Sequence, residues 1–302
     1  MTLSVQSAQA QDNVDEVVRV DTSLVQLNVG VGDLQGRPVT NLSRNDFAVY
    51  EDGVRQTIVS FEPTSAPFSL TLLLDVSGST SSFRQTLKQS ALRFIDALAP
   101  DDRVSVIAFN EKTETLTKFT SDRNKIAWAI EGADGRGGTE LYAALEYALK
   151  QLATEGKRRK AIIVLTDGID SKMRNIDRAA TASARTDKEA LTAIRSEASS
   201  SLSAVLDRAD RQGVTIYPLA LPSGDPKRIA FPSPQQVAIY TSARARIQAL
   251  ADRTGGRLHD IKRLEDLGRL YAEVAADLRT LYSIAYKPSG KGTTKPLCTE
   301  SA

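Results

Sequence analysis

Ser69-Leu70-Thr71-Leu72-Leu73-Leu74-Asp75-Val76-Ser77-Gly78-Ser79 decides how the rest of the chain is read. Leu70 to Leu74 is a short apolar run, the mark of a strand covered on both faces. It ends abruptly in a carboxylate, two hydroxyls and a glycine. Alternate residues of an extended segment point the same way, so Asp75, Ser77 and Ser79 can converge on one point. Gly78 permits a tight turn there.

Strands and helices alternate downstream. Phe83 to Leu98 places Leu87, Leu92, Phe94, Ile95 and Leu98 at helical intervals. Val104–Phe109 and Thr113–Phe119 read as strands, Asn124–Ile130 and Tyr142–Leu152 as helices, and Ala161–Leu165 as a second fully apolar strand. Val214–Leu221 and Arg257–Ile261 continue the series. A helix over Leu264–Leu281 leads to the apolar stretch Ser283–Tyr286. This alternation predicts an α/β fold: a doubly wound, Rossmann-like, mostly parallel sheet with flanking helices. Two connections are long. Ile169–Gly213 is Ala/Ser/Arg-rich and reads as helical. Pro222–Arg246 contains Pro222, Pro226, Pro232 and Pro234 and reads as irregular.

Upstream the rhythm is that of β structure. Val20, Leu24, Val25, Leu27, Val29 and Val31 lie in a near-alternating segment. Phe47–Tyr50 and Gln56–Phe61 flank Asp52-Gly53, a hairpin signal because glycine takes positive φ without penalty. The expected organisation is a polar tail or signal remnant over 1–16, a small β module over 17–66, the α/β domain over 67–286 and a flexible tail over 287–302.

In an open α/β sheet, ligands bind beyond the carboxyl ends of the strands. Gly137-Gly138-Thr139 precedes a helix and offers a further hydroxyl. Asp167 follows the strand Ala161–Leu165 and offers a second carboxylate. Each piece alone has a bland reading as a turn or helix cap. Together, Asp75, Ser77, Ser79, Thr139 and Asp167 supply the hard oxygen ligands that Mg²⁺, or Mn²⁺, takes while keeping several waters.

Composition narrows the function. The chain has 302 residues, 41% hydrophobic and 25% charged, with a net charge of +2. No basic run with interleaved aromatics points to nucleic acid. No stretch approaches the roughly 20 apolar residues of a membrane-spanning segment. The single cysteine, Cys298, allows no disulfide within the chain, and the single histidine, His259, stands on another strand end from Ser77. A nucleophilic serine therefore has no base beside it, and Asp75-Val76-Ser77-Gly78-Ser79 is no nucleophile elbow. Arg136-Gly137-Gly138-Thr139 lacks the lysine of a phosphate-binding loop. No catalytic residue is assigned. His259 reads as a partly buried strand residue, Trp128 as core, and Asp170 and Glu140 as neighbours of the site, either solvated or tuning it.

The spaced set Asp75-x-Ser77-x-Ser79, Thr139 and Asp167 resembles the metal-ion-dependent adhesion site of von Willebrand factor A and integrin I domains. In strand order, the resemblance covers roughly residues 68–285. It implies one divalent cation held by these five residues, with an Asp or Glu carboxylate of a protein ligand completing the shell. The implied function is non-enzymatic, adhesion-type protein binding, with an assembly or maturation factor as the alternative and a metal-dependent hydrolase a distant third. Leu24–Val29, Asp46–Gly53 and Phe61 resemble a group of bacterial proteins related to this domain, common in acidobacteria. Members usually carry a secretion signal, which implies export. Here Ala8-Gln9-Ala10 resembles only the end of such a signal, without the basic and apolar regions before it. Segments 171–199 and 222–246 leave from the same sheet edge as the site. Their lysines and arginines suggest a mobile, mildly basic rim for an acidic ligand.

Overall fold

The structure is a computed structural model, and it describes residues 24–35, 37–156, 158–194, 199–224, 227 and 230–288. The expected tail over 1–16, Cys298 and nearly all of the expected tail over 287–302 lie outside these residues.

The main sheet has six strands in the order β10 (His259–Asp260), β9 (Val214–Ala220), β8 (Arg159–Thr166), β5 (Phe68–Asp75), β6 (Arg103–Phe109) and β7 (Thr113–Thr120). All neighbours are parallel except β6 and β7. Only β7, at the edge, runs the other way, because a three-residue turn joins it to β6. The doubly wound, mostly parallel sheet read from the sequence is the observed one.

The apolar runs follow from burial on both faces. Leu70, Leu72 and Leu74 of β5 join Ala161, Ile163 and Leu165 of β8 under α1 (Arg84–Asp96), α2 (Arg123–Gly132) and α8 (Leu267–Leu278). Leu73, Ile162 and Val164 face the other way. There they meet α3 (Leu141–Leu152), α6 (Ser200–Gln212) and α7 (Pro234–Thr254). With period 2 and a helix layer on each side, no position of β5 is left to be polar for solvent's sake. Every residue of β5 is buried.

The connection Ile169–Gly213 is helical as expected, with α4 (Ser171–Ala180) and α5 (Asp187–Ala193) before α6. The connection Pro222–Arg246 departs from the irregular segment expected. From Pro234 it is α7, a 21-residue helix. Pro234 is the first helical residue, where its missing N–H costs nothing, and Ser233 with Gln236 forms a capping box. Trp128 also departs from expectation. Ile126, Ala129 and Ile130 of α2 turn inward, and Trp128 is left 82% exposed on the outer side.

A second, three-stranded antiparallel sheet has the order β1 (Val25–Gly30), β11 (Leu281–Tyr286) and β4 (Ile58–Glu62). Its middle strand comes from the far end of the described chain. The sequence pattern places that stretch within the α/β domain expected over 67–286. β11 is instead where β1 and β4 find their hydrogen-bond partners. Phe47, Phe61 and Tyr282 cluster with ring centroids 5.0–5.8 Å apart. The hairpin of β2 (Val49–Glu51) and β3 (Val54–Gln56) turns through Asp52 (φ 49°) and Gly53 (φ 78°), as the Asp-Gly pair predicts.

The small sheet sits at the amino ends of the large sheet's strands. Asn28 Nδ2 donates to Gly213 O and to Thr215 Oγ1, at the start of β9. Arg159, at the start of β8, donates to Thr64 O and to Leu278 O, with its guanidinium 4.0 Å from the Phe68 ring centroid. The carboxyl ends of the strands are left for the candidate site.

Candidate metal centre

Asp75 closes β5, and Asp167 follows β8, its parallel neighbour. The two carboxylates thus arrive at one edge of the sheet on adjacent strands. Both are buried, Asp75 to 2% exposure and Asp167 to 4%. Burial, and after it the nearby charge of Asp167, together raise the pKa of Asp75 to about 7. Burial also raises that of Asp167. Among the described residues neither is ion-paired, although Arg174 and Arg244 lie near enough to Asp167 to oppose the shift.

The hydroxyl residues are folded onto these carboxylates. Ser77 N donates to Asp75 Oδ1 at 3.0 Å, and Ser77 Oγ lies 3.1 Å from Ser79 Oγ. The Ser79 side chain lies near enough to Asp167 to hold its pKa down against burial. Asp75, Ser77, Ser79 and Asp167 are therefore one contiguous cluster. Thr139 is buried and reaches it through main chain rather than through its own hydroxyl. Gly78 N donates to Gly137 O at 3.0 Å, and Thr139 N and O are both held by Ser171. Gly137 takes φ 95°, which only glycine adopts freely. Gly135 approaches Val76 so closely that a Cβ would lie 2.7 Å from its side chain. The glycines of this loop are what let it press against the strand end.

Several supporting residues were missed in the sequence. Thr166 Oγ1 donates to Asp75 Oδ2 at 3.0 Å and accepts from Gly168 N at 3.1 Å. Thr80 Oγ1 donates to Asp75 O and Ser77 O. Glu111 Oε1 accepts from Gly138 N at 2.8 Å. Thr166 had a signal, as a polar residue at the end of an apolar strand. Ser171 and Glu111 had none, because what they touch lies 32 and 27 positions away.

The two neighbours flagged from sequence are engaged. Asp170 Oδ1 accepts from Lys172 N and Met173 N and so caps α4. Glu140 pairs with Lys172 at 3.3 Å. The basic rim expected here is built largely on helices: residues 171–180, 187–193 and 234–246 lie in α4, α5 and α7. Lys172, Arg174, Arg178, Arg185 and Lys188 are exposed, whereas the arginines of α7 have partners within the protein. Arg246 forms a buried two-point pair with Asp177, both bonds at 2.7 Å, and Arg244 reaches Asp260 at 3.2 Å.

The donor set fits a hard divalent cation. Two buried like charges with no cationic partner are unstable as a pair, and a dication relieves both at once. No third acidic, histidine or cysteine side chain completes a cluster among the described residues. Hydroxyls, waters and an outside ligand would fill the other positions, as Mg²⁺ prefers.

Residues 70–169 match the family model of the von Willebrand factor type A domain. Over that stretch, a third of the chain, the sequence is similar to a von Willebrand factor type A domain. Over 135 residues, 41% of this chain, it is 32% identical to the human voltage-dependent calcium channel subunit alpha-2/delta-2. An uncharacterized protein of Synechocystis is 39% identical over 107 residues, 34% of this chain and 25% of that protein. The matched part spans only 12% of the length of the calcium channel subunit. Among solved structures, a von Willebrand factor type A protein from Catenulispora acidiphila superposes with a TM-score of 0.52 at 15% identity. That match covers 76% of this chain and 52% of that one. The vWF domain of the type V pili tip protein Mfa5 from Porphyromonas gingivalis gives 0.51 at 13% identity, covering 70% and 94%. At such identities these two structures show a shared fold. No helix of the described residues is long and apolar enough to cross a membrane.

Proposed function

We propose that the von Willebrand A domain of this chain is a non-enzymatic, metal-dependent protein-binding module. Asp75, Ser77, Ser79, Thr139 and Asp167 hold one Mg²⁺ or Mn²⁺, directly or through water. The observation that carries the reading is the pair Asp75 and Asp167. Two carboxylates are buried side by side on adjacent strand ends, with hydroxyls folded onto them and no cation of the protein's own between them.

Bound there, the ion supplies a Lewis-acidic position for a carboxylate from outside. The protein's own part is to pre-position its oxygens. Ser77 N and Thr166 Oγ1 orient Asp75, Ile169 N orients Asp167 Oδ1, and Ser171 fixes the Thr139 loop. The partner is a protein presenting an Asp or Glu. By name, the relatives include a channel subunit and a pilus tip protein, which agrees with a role in a larger assembly and with export.

Calorimetric titration of Mg²⁺ and Mn²⁺ into the chain, beside Asp75→Ala and Asp167→Ala, tests this. One saturable site in the wild type, lost in both variants, supports the reading. A folded wild type that takes up neither ion sinks it.

A further inference from the structure

Far from the metal centre, in the small β structure, the turn Arg44–Asp46 and the end of β3 enclose a cavity of about 400 Å³. Arg44, Asn45 and Arg55 stand at its polar side, and Phe47, Val49 and Ile58 form its apolar wall. Val49 and Ile58 belong to the core of the small sheet, so the wall is fixed by packing.

The charge in this cavity is unbalanced. Arg55 is exposed, with no hydrogen bond or ion pair to any described residue. Arg44 donates to Ile58 O, which leaves most of its five N–H donors unused. No acidic residue lines the cavity. The carboxylates closest in sequence, Asp46, Glu51 and Asp52, all have partners of their own. Asp46 Oδ2 accepts from Ser43 N at 2.7 Å and Ser43 Oγ at 2.8 Å, and Glu51 Oε1 accepts from Tyr286 OH. Most arginines around the metal centre, by contrast, have found partners within the protein, as Arg84, Arg244 and Arg246 show.

We propose that this cavity is a second binding site, independent of the metal, for the carboxylates of an acidic polypeptide segment. Two guanidinium forks favour planar oxyanions held at two points. A water fills about 30 Å³, so the cavity is far larger than one inorganic anion needs. Its apolar wall suits the methylenes of Asp or Glu side chains and the peptide that carries them. The metal centre and this cavity lie at opposite ends of the large sheet's strands, so the two sites do not compete for one stretch of partner.

The test is titration of the chain, in EDTA, with acetyl-(Glu)4-amide, followed by fluorescence of a label on the peptide. Saturable binding that weakens with added salt is expected. It should fall at least about tenfold in Arg44→Ala/Arg55→Ala. It should survive in Asp75→Ala and in Lys118→Ala/Lys150→Ala, which removes two exposed charges elsewhere. The glutamine peptide of the same length should not bind. Three outcomes overturn the proposal: no binding by folded wild type, equal binding by the arginine double variant, or inorganic phosphate binding as tightly as the peptide. The last would make this a simple anion site. Because EDTA is present throughout, none of these outcomes bears on the metal reading.

Discussion

Ser171 grips the main chain of Thr139 from both sides: its Oγ accepts from Thr139 N at 3.0 Å, and its own N donates to Thr139 O at 2.8 Å. Thr139 precedes α3 and Ser171 opens α4, so this clasp joins the loops that deliver Thr139 and Asp167. Ser171→Ala removes one of the two bonds and leaves the fold's packing alone. The loss of one such hydrogen bond is worth about 1 kcal/mol. Mg²⁺ affinity should fall about fivefold, with Mn²⁺ following. Thermal melting of the metal-free protein should move little. A large drop in melting with unchanged affinity would show that the clasp serves the fold and not the site.

The buried carboxylates set a pH dependence with a definite sign. In the folded, metal-free protein Asp75 titrates near 7, against 3.8 for the free side chain, and Asp167 is shifted the same way. Between those values the folded state holds protons that the unfolded chain has released. These groups therefore make the metal-free protein more stable as pH falls from about 7 toward about 4. Mg²⁺ requires the charged forms, so its affinity should weaken over the same range. Urea midpoints in EDTA at about pH 7 and about pH 5, compared between wild type and Asp75→Asn, isolate the effect. If the difference between them is flat, or widens the other way, Asp75 is not held protonated by its surroundings.

How much could be read from the sequence depended on whether a signal was local. The strands β5 and β8 announced themselves because both faces are covered, which forces a continuous apolar run. Asp75, Ser77, Ser79 and Asp167 stand directly after those runs, and the structure gathers them. α7 was hidden behind four prolines. Pro234 breaks nothing, since it occupies the first helical position, and the Ser233–Gln236 capping box was the overlooked sign. The partnership of β11 with β1 and β4 could not be read locally, because Val25 and Tyr286 meet across almost the whole described chain. Trp128 reads as core by its size alone, but its phase on α2, out of step with the buried Ile126, Ala129 and Ile130, sets it on the outer side.

That long-range pairing has its own test in Tyr282. Its hydroxyl accepts from Leu42 N and donates to Val39 O, both at 2.9 Å, so one side chain of β11 fastens the segment that precedes the hairpin. Tyr282→Phe keeps the ring against Phe47 and Phe61 but leaves two main-chain groups without their partner. A destabilisation of about 1–3 kcal/mol is expected, because unsatisfied groups at a partly buried position cost more than the bond itself gains. The measurement is a denaturation midpoint. A neutral result would mean water replaces the hydroxyl and the strand is held by its ladder alone.

The pair Asp177 and Arg246 ties α4 to α7, each side chain only 3% exposed. α7 also backs the loop that carries Asp167: a Cβ on Gly168 would lie 3.2 Å from Ile247 Cδ1. Removing one member strands the other charge in the interior. Asp177→Asn or Arg246→Met should therefore cost about 3–5 kcal/mol in urea unfolding. The double variant Asp177→Leu/Arg246→Met removes both charges and should recover most of that loss, since a buried pair gains little net energy over a well-packed apolar one. If the pair only cements the helices, the double variant binds Mg²⁺ as the wild type does. If it also sets the height of α7 behind Gly168, stability returns while affinity stays low. Recovery of neither would point to strain from the new side chains, which the smaller Asp177→Ala/Arg246→Ala pair would relieve.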